Sequence, residues 1–332
     1  MDFVNSNAPT WDDVEGRADQ LEPAERAFPS DRYDPTTWTV ELPPFRQADL
    51  PHPLEVARRH PPRVPKYLPG RDRRDAGVPR PAKPMVDWGT PKLVAAADAG
   101  AVRIGMNWRK AFPTSAEFCF KAGRTMFFEG PHEPASHRLR VVTHTCTDVQ
   151  FQPLVAHWRL ADGTSTSYFV DSVEETDTGW LVFRENKAHR AYFDDPEIDA
   201  KLSAFEAEIT KHPYVRFERE LGSDLMDGMK WRVVKDIYDD RDLVFTDAQR
   251  DAVRNVLARE GGVAALGRIW DAIGGDRDDA RRLSSAMLVA RIIGFPVDRP
   301  PAADTRVVMP RPPAWPGRLR RFLRSFAPGA GK

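Results

Sequence analysis

From Ser167 to Lys187 the chain reads Ser167-Tyr168-Phe169-Val170-Asp171-Ser172-Val173-Glu174-Glu175-Thr176-Asp177-Thr178-Gly179-Trp180-Leu181-Val182-Phe183-Arg184-Glu185-Asn186-Lys187. Two β-like runs flank a turn signal. The first carries an aspartate at Asp171, and the second closes on Glu-x-Lys. If Asp177-Thr178-Gly179 form a type I turn with Gly179 left-handed, Thr176 lies opposite Trp180. Counting outward then sets Asp171 opposite Glu185. Lys187 falls on the face of Glu185, because strand side chains alternate with period two.

Two carboxylates directly across a strand pair repel, so something must offset them. The candidates are Lys187, solvent, or a cation. Hard oxygen donors favour Mg²⁺, or Mn²⁺ in its place. A bound ion of this kind acidifies water and clamps phosphate oxygens, while a lysine beside it orients the water or neutralises developing charge. The chemistry that needs this set is phosphodiester hydrolysis. The plainer alternative is a solvated hairpin end, common in a chain that is 30% charged.

Working outward, residues 85–242 have globular composition. Glu117–Lys121 and Thr125–Phe128 flank Ala122-Gly123-Arg124, which predicts a hairpin. Pro134 stands at a first helical turn, predicting a helix to about Thr143. Strands are expected at 149–158, 164–173 and 180–187. A helix over about 196–210 would start on Pro196 and present Ile198, Leu202, Phe205 and Ile209 on one face. Lys230-Trp231-Arg232-Val233-Val234 reads as a further strand. This order predicts an α/β core, a mixed sheet flanked by helices.

Residues 243–310 turn helical. Thr246 with Gln249 is a capping box opening a helix to about Glu260. Val263 to Ile273 reads as a second helix, stopped by Gly274-Gly275. Asp276 or Asp278 would cap a third helix through about Ile293, with Leu283, Met287 and Ala290 inward, and Thr305–Met309 reads as a short strand. Helices joined by a tight turn and followed by a β element predict a small winged-helix-like unit.

Both ends differ from this core. Residues 1–84 are crowded with prolines, which predicts a long, largely disordered arm with only weak order near Trp38. The segment 311–332 is a basic tail. Trp315 to Phe326 has an apolar stripe, so it either docks as a short helix on a partner or on DNA, or frays into solvent.

Formal charge is zero, with 49 basic and 49 acidic side chains over 332 residues. That removes any global polyelectrolyte route to nucleic acid, but the charge is segregated. Residues 1–50 are acid-rich, and 56–83 carry Arg58, Arg59, Arg63, Lys66, Arg71, Arg73, Arg74, Arg80 and Lys83. Local basic arms attract phosphate where net charge does not. Cys119 and Cys146 lack metal spacing or a disulfide framework, no apolar run reaches membrane-span length, and the acidic start is unlike a signal peptide. A reduced, cytoplasmic protein without membrane contact is expected.

The order of residues resembles the PD-(D/E)xK nuclease core as it occurs in TnsA-type transposon endonucleases. The matching residues are Glu133 at a helix start, Gln152-Pro153 ahead of a strand, Tyr168-Phe169-Val170-Asp171, Val182-Phe183-Arg184-Glu185-Asn186-Lys187, and Trp231-Arg232-Val233-Val234. The resemblance covers about 115–310, with a nuclease-like domain ahead of a winged-helix domain. It implies that Glu133, Asp171 and Glu185 bind Mg²⁺ and that Lys187 supports the attacking water. The Asn186 carbonyl would be a further ligand, and Gln152 would be site-adjacent. Glu129 is a rival for Glu133, which can also cap its helix beside Pro134. The position before Asp171 holds Val170 rather than proline, and Arg184 interrupts the hydrophobic strand ahead of Glu185. The implied activity is Mg²⁺-dependent hydrolysis of a DNA strand at transposon ends, with a DDE-type transposase and an ATPase regulator as partners. A restriction-like or repair nuclease and a non-catalytic DNA-binding assembly subunit are the alternatives.

Two further groups invite a role. Arg277, Arg281, Arg282 and Arg291 on the third C-terminal helix either contact DNA phosphates or form a solvated face beside Asp276, Asp278 and Asp279. His132, His137, His144, His157 and His189 have no helical metal spacing with a third ligand, and read as surface or hydrogen-bonding histidines.

Overall fold

A computed structural model describes residues 86–103, 114–226 and 228–328. The proline-rich arm expected over 1–84 lies outside them. Strand β1 (Lys92–Ala95) comes first, then the hairpin β2 (Thr114–Cys119) and β3 (Arg124–Glu129), paired from Thr114↔Glu129 to Cys119↔Arg124. Helix α1 (His132–Val142) follows, as the proline position predicted.

The two long strands expected next each break in two. The first becomes β4 (Cys146–Phe151) and β5 (Leu154–Arg159), parted at Gln152-Pro153. The second becomes β6 (Ser165–Phe169) and β7 (Ser172–Thr176), parted at Val170-Asp171. Both pairs turn the same corner from one sheet into another. β5 and β6 join β1 in one sheet, while β4 and β7 enter a second with β8 (Leu181–Lys187) and β9 (Val215–Leu221). Proline cannot donate to a ladder, which accounts for one break. Gln152 at φ 49 and the hydrogen bond from its N–H to the Asp171 carbonyl (2.9 Å) join the two corners.

The second sheet is mixed: β4, β7 and β8 run antiparallel and β9 is parallel to β8. Its hairpin has the register that the turn predicted. Ser172 pairs with Arg184 and Glu175 with Leu181, so the next position outward sets Asp171 against Glu185. Gly179 takes φ 82, and a Cβ there would fall 2.4 Å from the Trp315 ring, so only glycine fits.

One face of this sheet is aromatic. Helix α2 (Pro196–Ile209) is capped by Asp195, whose carboxylate accepts from the N–H groups of Glu197 and Ile198, and it buries Leu202, Phe205 and Ile209. Phe205 meets Phe183 and Phe217 edge-on at 6.2 and 5.4 Å. The other parity carries a buried ionic layer beneath α1. Arg184 pairs with Glu174 and Glu218, both at 2.9 Å. Arg140 of α1 pairs with Glu174 at 3.2 Å and with Glu220, which also accepts from Ser136. Arg184 therefore interrupts the strand because this face is polar by construction.

Short α3 (Gly222–Leu225) leads into α4 (Gly228–Asp239), where a strand at 230–234 was expected. That expectation was wrong. The buried residues Val233, Val234, Ile237 and Tyr238 recur at helical spacing, and the adjacent valines mimicked a strand. The strand that completes the sheet is β9.

After 242 come α5 (Asp247–Arg259) with the expected capping box, β10 (Val263–Ala265), α6 (Leu266–Ile273), α7 (Arg277–Val289) capped by Asp276, and β11 (Arg306–Val308). The helix expected from Val263 begins only at Leu266, because Val263–Ala265 pair with β11. Helix α7 ends at Val289, and Ala290 is exposed rather than inward. The apolar core is continuous across position 242: Phe128, Leu139 and Phe151 belong to one cluster with Val253, Ile269 and Met287.

The basic tail folds back on its own chain. In α8 (Arg318–Arg324), Leu319, Phe322 and Leu323 are buried, and Phe322 lies 5.9 Å from Phe183. Glu175 accepts from the Leu319 N–H (2.9 Å), and the Arg318 guanidinium donates to the carbonyls of Gly179 and Pro213.

Candidate active site

Asp171 sits where the chain leaves β6 for β7, at the corner rather than within a strand. Its carboxylate accepts from the Asn186 N–H at 2.7 Å, a backbone bond that locks it to β8 opposite its register partner Glu185. Glu185 is 2% exposed. One of its oxygens accepts from Lys187 and the other from the hydroxyl of Tyr168. Lys187 thus meets Glu185 directly, as period-two alternation requires. Tyr168 is a positioning residue that pattern reasoning missed as a site member. Its only signal was an aromatic ring bearing a hydroxyl after the polar run Ser165-Thr166-Ser167, three residues before Asp171.

Glu133 enters from the first turn of α1. It is 9% exposed, and its carboxylate accepts from the Glu129 N–H at 2.9 Å. Glu129, the rival acid, directs its side chain to Arg103 at 3.1 Å. Glu133 therefore does not cap α1, whose N-cap is Pro131.

Electrostatics unite these groups. Burial, followed by the charges of Glu185 and Glu133, pushes the Asp171 carboxyl well above the usual range. Burial and the neighbouring Glu129 and Glu185 push Glu133 up to about 7, against the Glu129 N–H and Arg103. For Lys187, burial opposes the charge, but Glu185 and Asp171 outweigh it and raise the pKa. Three carboxylates with one close lysine leave an excess of negative charge in a water-poor place, so proton or cation uptake is favoured.

Gln152 and Asn186 flank Asp171 through backbone bonds and are 2% and 8% exposed. Both atoms of each side-chain amide have no hydrogen-bond partner among the described residues. Buried orphan amides at this density are unusual, and water or a ligand normally satisfies them.

The side chains are hard oxygen donors of the kind a divalent cation takes. Among the described residues, no three His, Cys, Asp or Glu side chains already stand close enough together to hold an ion. Glu185 would have to exchange Lys187 for the metal.

The arginines expected at DNA lie elsewhere, on α7. All three are exposed and each has a partner. Arg277 lies 5.1 Å over Trp270, Arg281 is 3.9 Å from Asp278, and Arg282 donates to Asp240 at 2.9 Å. Arg291 does not belong with them, since it donates to the carbonyls of His144 and Arg311 and bridges two loops. Of the histidines, His137 is wholly buried beside Glu117 (3.3 Å), and His157 bonds Ser167. No protein-family model matches the chain, and no curated protein matches it.

Proposed function

We propose that this chain is a divalent-metal-dependent DNA endonuclease on a PD-(D/E)xK-like core, acting as the TnsA-type enzymes it resembles do. The single observation supporting this reading is the contact of Glu185 with Lys187 beside Asp171, which the Asn186 N–H holds at the open end of the β7–β8 hairpin, with Glu133 near enough to raise the Asp171 pKa. Asp171, Glu133 and Glu185 would hold Mg²⁺. When bound, it would acidify a water and draw charge from the phosphodiester.

The chain's own groups have the remaining tasks. Tyr168 fixes the orientation of Glu185. The Asn186 N–H aims the Asp171 carboxylate. Lys187, once exchanged off Glu185, would orient the attacking water or neutralise the phosphate. The order α5–β10–α6–α7–β11 supports a winged-helix-like unit, with Arg277, Arg281 and Arg282 available to phosphates on its exposed face. A DDE-type transposase and an ATPase regulator are the partners the resemblance implies. Among the described residues no helix is long and apolar enough to cross a membrane, and both cysteines are free, which suits a reduced, cytoplasmic setting.

The test is nicking of supercoiled and transposon-end DNA by the purified chain in Mg²⁺, with and without neighbouring gene products. Asp171→Ala and Lys187→Ala should each abolish nicking while the fold survives. Cleavage by either variant at the wild-type rate sinks the assignment. A second reading has its own support: Glu185 is engaged by both Lys187 and Tyr168, as in a core that has become an assembly subunit. Under that reading Mg²⁺ leaves the melting temperature unchanged. A live site gains stability from Mg²⁺, and Asp171→Ala loses that gain.

A further inference from the structure

Arg103 also stands at the acid cluster and is not used by the scheme above. The Arg103 guanidinium lies 4.7 Å over the ring of Phe169, the residue two before Asp171. It pairs with the Glu129 carboxylate at 3.1 Å, and Glu129 in turn gives its N–H to Glu133. The Arg103 side chain is 37% exposed, and its buried Nε has no hydrogen-bond partner among the described residues.

Its position is fixed by backbone. The N–H of the preceding Val102 donates to the Gln152 carbonyl, and the Gln152 N–H donates to the Asp171 carbonyl, each at 2.9 Å. Three neighbouring main chains therefore carry Arg103, Gln152 and Asp171 side by side. An aromatic face beneath a guanidinium holds its plane at low entropic cost. The Arg103 side chain is the more open of the pair, at 37% against 16% for Glu129, so an oxyanion arriving from solvent can reach it.

A phosphodiester entering a cluster of three acids needs fixed positive charge beside any metal, and a guanidinium fork matches two phosphate oxygens at once. We infer that Arg103 is a substrate-binding residue of this site, gripping non-bridging oxygens of a DNA phosphate, and that Glu129 holds its place until DNA arrives. This rests on the nuclease reading for the identity of the substrate.

The experiment is binding of the full chain to a short labelled DNA duplex by fluorescence anisotropy. Ca²⁺ replaces Mg²⁺, and the measurement is repeated across a salt series. Arg103→Ala should weaken binding about tenfold, as loss of a charged hydrogen bond does. It should also make the log Kd–log salt slope shallower by about 0.9, one phosphate contact. Arg103→Lys should restore the slope and only part of the affinity. Glu129→Gln should tighten binding. Melting curves check the fold; if Arg103→Ala does not fold, Arg103→Lys and Glu129→Gln decide. Wild-type affinity and slope in these variants overturn the inference, as does a wild-type chain that binds no DNA. A chain whose binding depends on Arg103 but which nicks nothing in Mg²⁺ overturns hydrolysis and leaves the phosphate grip standing.

Discussion

Replacing Arg184 with methionine tests whether the ionic layer under α1 holds the sheet together. The Arg184 side chain is 6% exposed and Glu174 is 9% exposed, whereas Glu218 is 40% exposed. Removing one partner of a buried pair costs about 3–5 kcal/mol. Two features reduce this. Glu174 keeps Arg140 at 3.2 Å, and a pair as open to water as that with Glu218 is worth about 0–1 kcal/mol. The expected loss is about 2–3 kcal/mol at neutral pH. Its pH dependence follows from Glu174. Burial opposes that carboxylate's charge, but Arg140 and Arg184 outweigh it and hold its pKa below the ordinary value. A depressed acid contributes stability above its unfolded pKa and loses it as pH falls through the folded one. Without Arg184 that depression shrinks, so wild type and variant should converge as pH drops through the carboxylate range. Urea unfolding followed by tryptophan fluorescence, at neutral pH and again at least about a unit below the ordinary glutamate pKa, measures both. The double variant Glu174→Gln, Arg184→Met should lose less than the two single losses summed. A single-variant loss under about 0.5 kcal/mol, or a gap that widens in acid, refutes the reasoning.

Three further outcomes are expected. Tyr168→Phe removes the hydroxyl that orients Glu185. It should raise the Mg²⁺ needed for half-maximal thermal stabilisation about tenfold, as loss of an outer-shell partner does, and an unchanged titration argues against that role. Ending the chain before Pro316 strips away buried Leu319, Phe322 and Leu323. At about 1.5–3 kcal/mol per side chain the shortened protein should be destabilised by several kcal/mol, and a wild-type urea midpoint would show that the tail is dispensable. Burial, with some help from Asp148, pushes Glu175 up to about 7. A raised acid favours the fold only while protonated, so stability should fall between about pH 4.5 and 7, by at most about 3 kcal/mol. Glu175→Gln should remove that part of the slope, as seen by comparing melting temperatures across pH, and a slope identical to wild type contradicts the shift.

The hairpin was legible because Asp177-Thr178-Gly179 fixes a count, and a count fixes which side chains face each other. The caps at Thr246 and Asp276 were legible for a similar reason, since capping is local chemistry. What escaped notice depended on distant partners. Strand β9 alternates Val215, Phe217 and Leu221 with Arg216, Glu218 and Glu220, which reads as an exposed strand or no strand at all. Only Arg184 and Arg140, far away in sequence, make that face an interior. Val263–Ala265 belongs to a ribbon whose other half is some forty residues on, and its short run of small residues extends the neighbouring helix just as well. Of the site, Asp171, Glu185 and Lys187 followed from the turn. Tyr168 and Arg103 did not, because an orienting hydroxyl and a stacked guanidinium have no fixed spacing from the acids they serve.

The shared corner at Gln152-Pro153 and Val170-Asp171 ties the site to the outer sheet through β6, whose Tyr168 reaches Glu185 and whose Phe169 lies beneath Arg103. The hairpin β5–β6 projects beyond that corner and closes at Asp162-Gly163, away from the carboxylates. Residues that loop out at its tip without slipping the Val155↔Phe169 register leave Tyr168 and Asp171 aimed as they are. A single insertion at Asp177-Thr178-Gly179 has the opposite effect and throws Asp171 and Glu185 onto opposite faces. The β5–β6 tip therefore tolerates a change of length as long as its ladder holds, whereas the length of Asp177-Thr178-Gly179 is fixed by the register it sets.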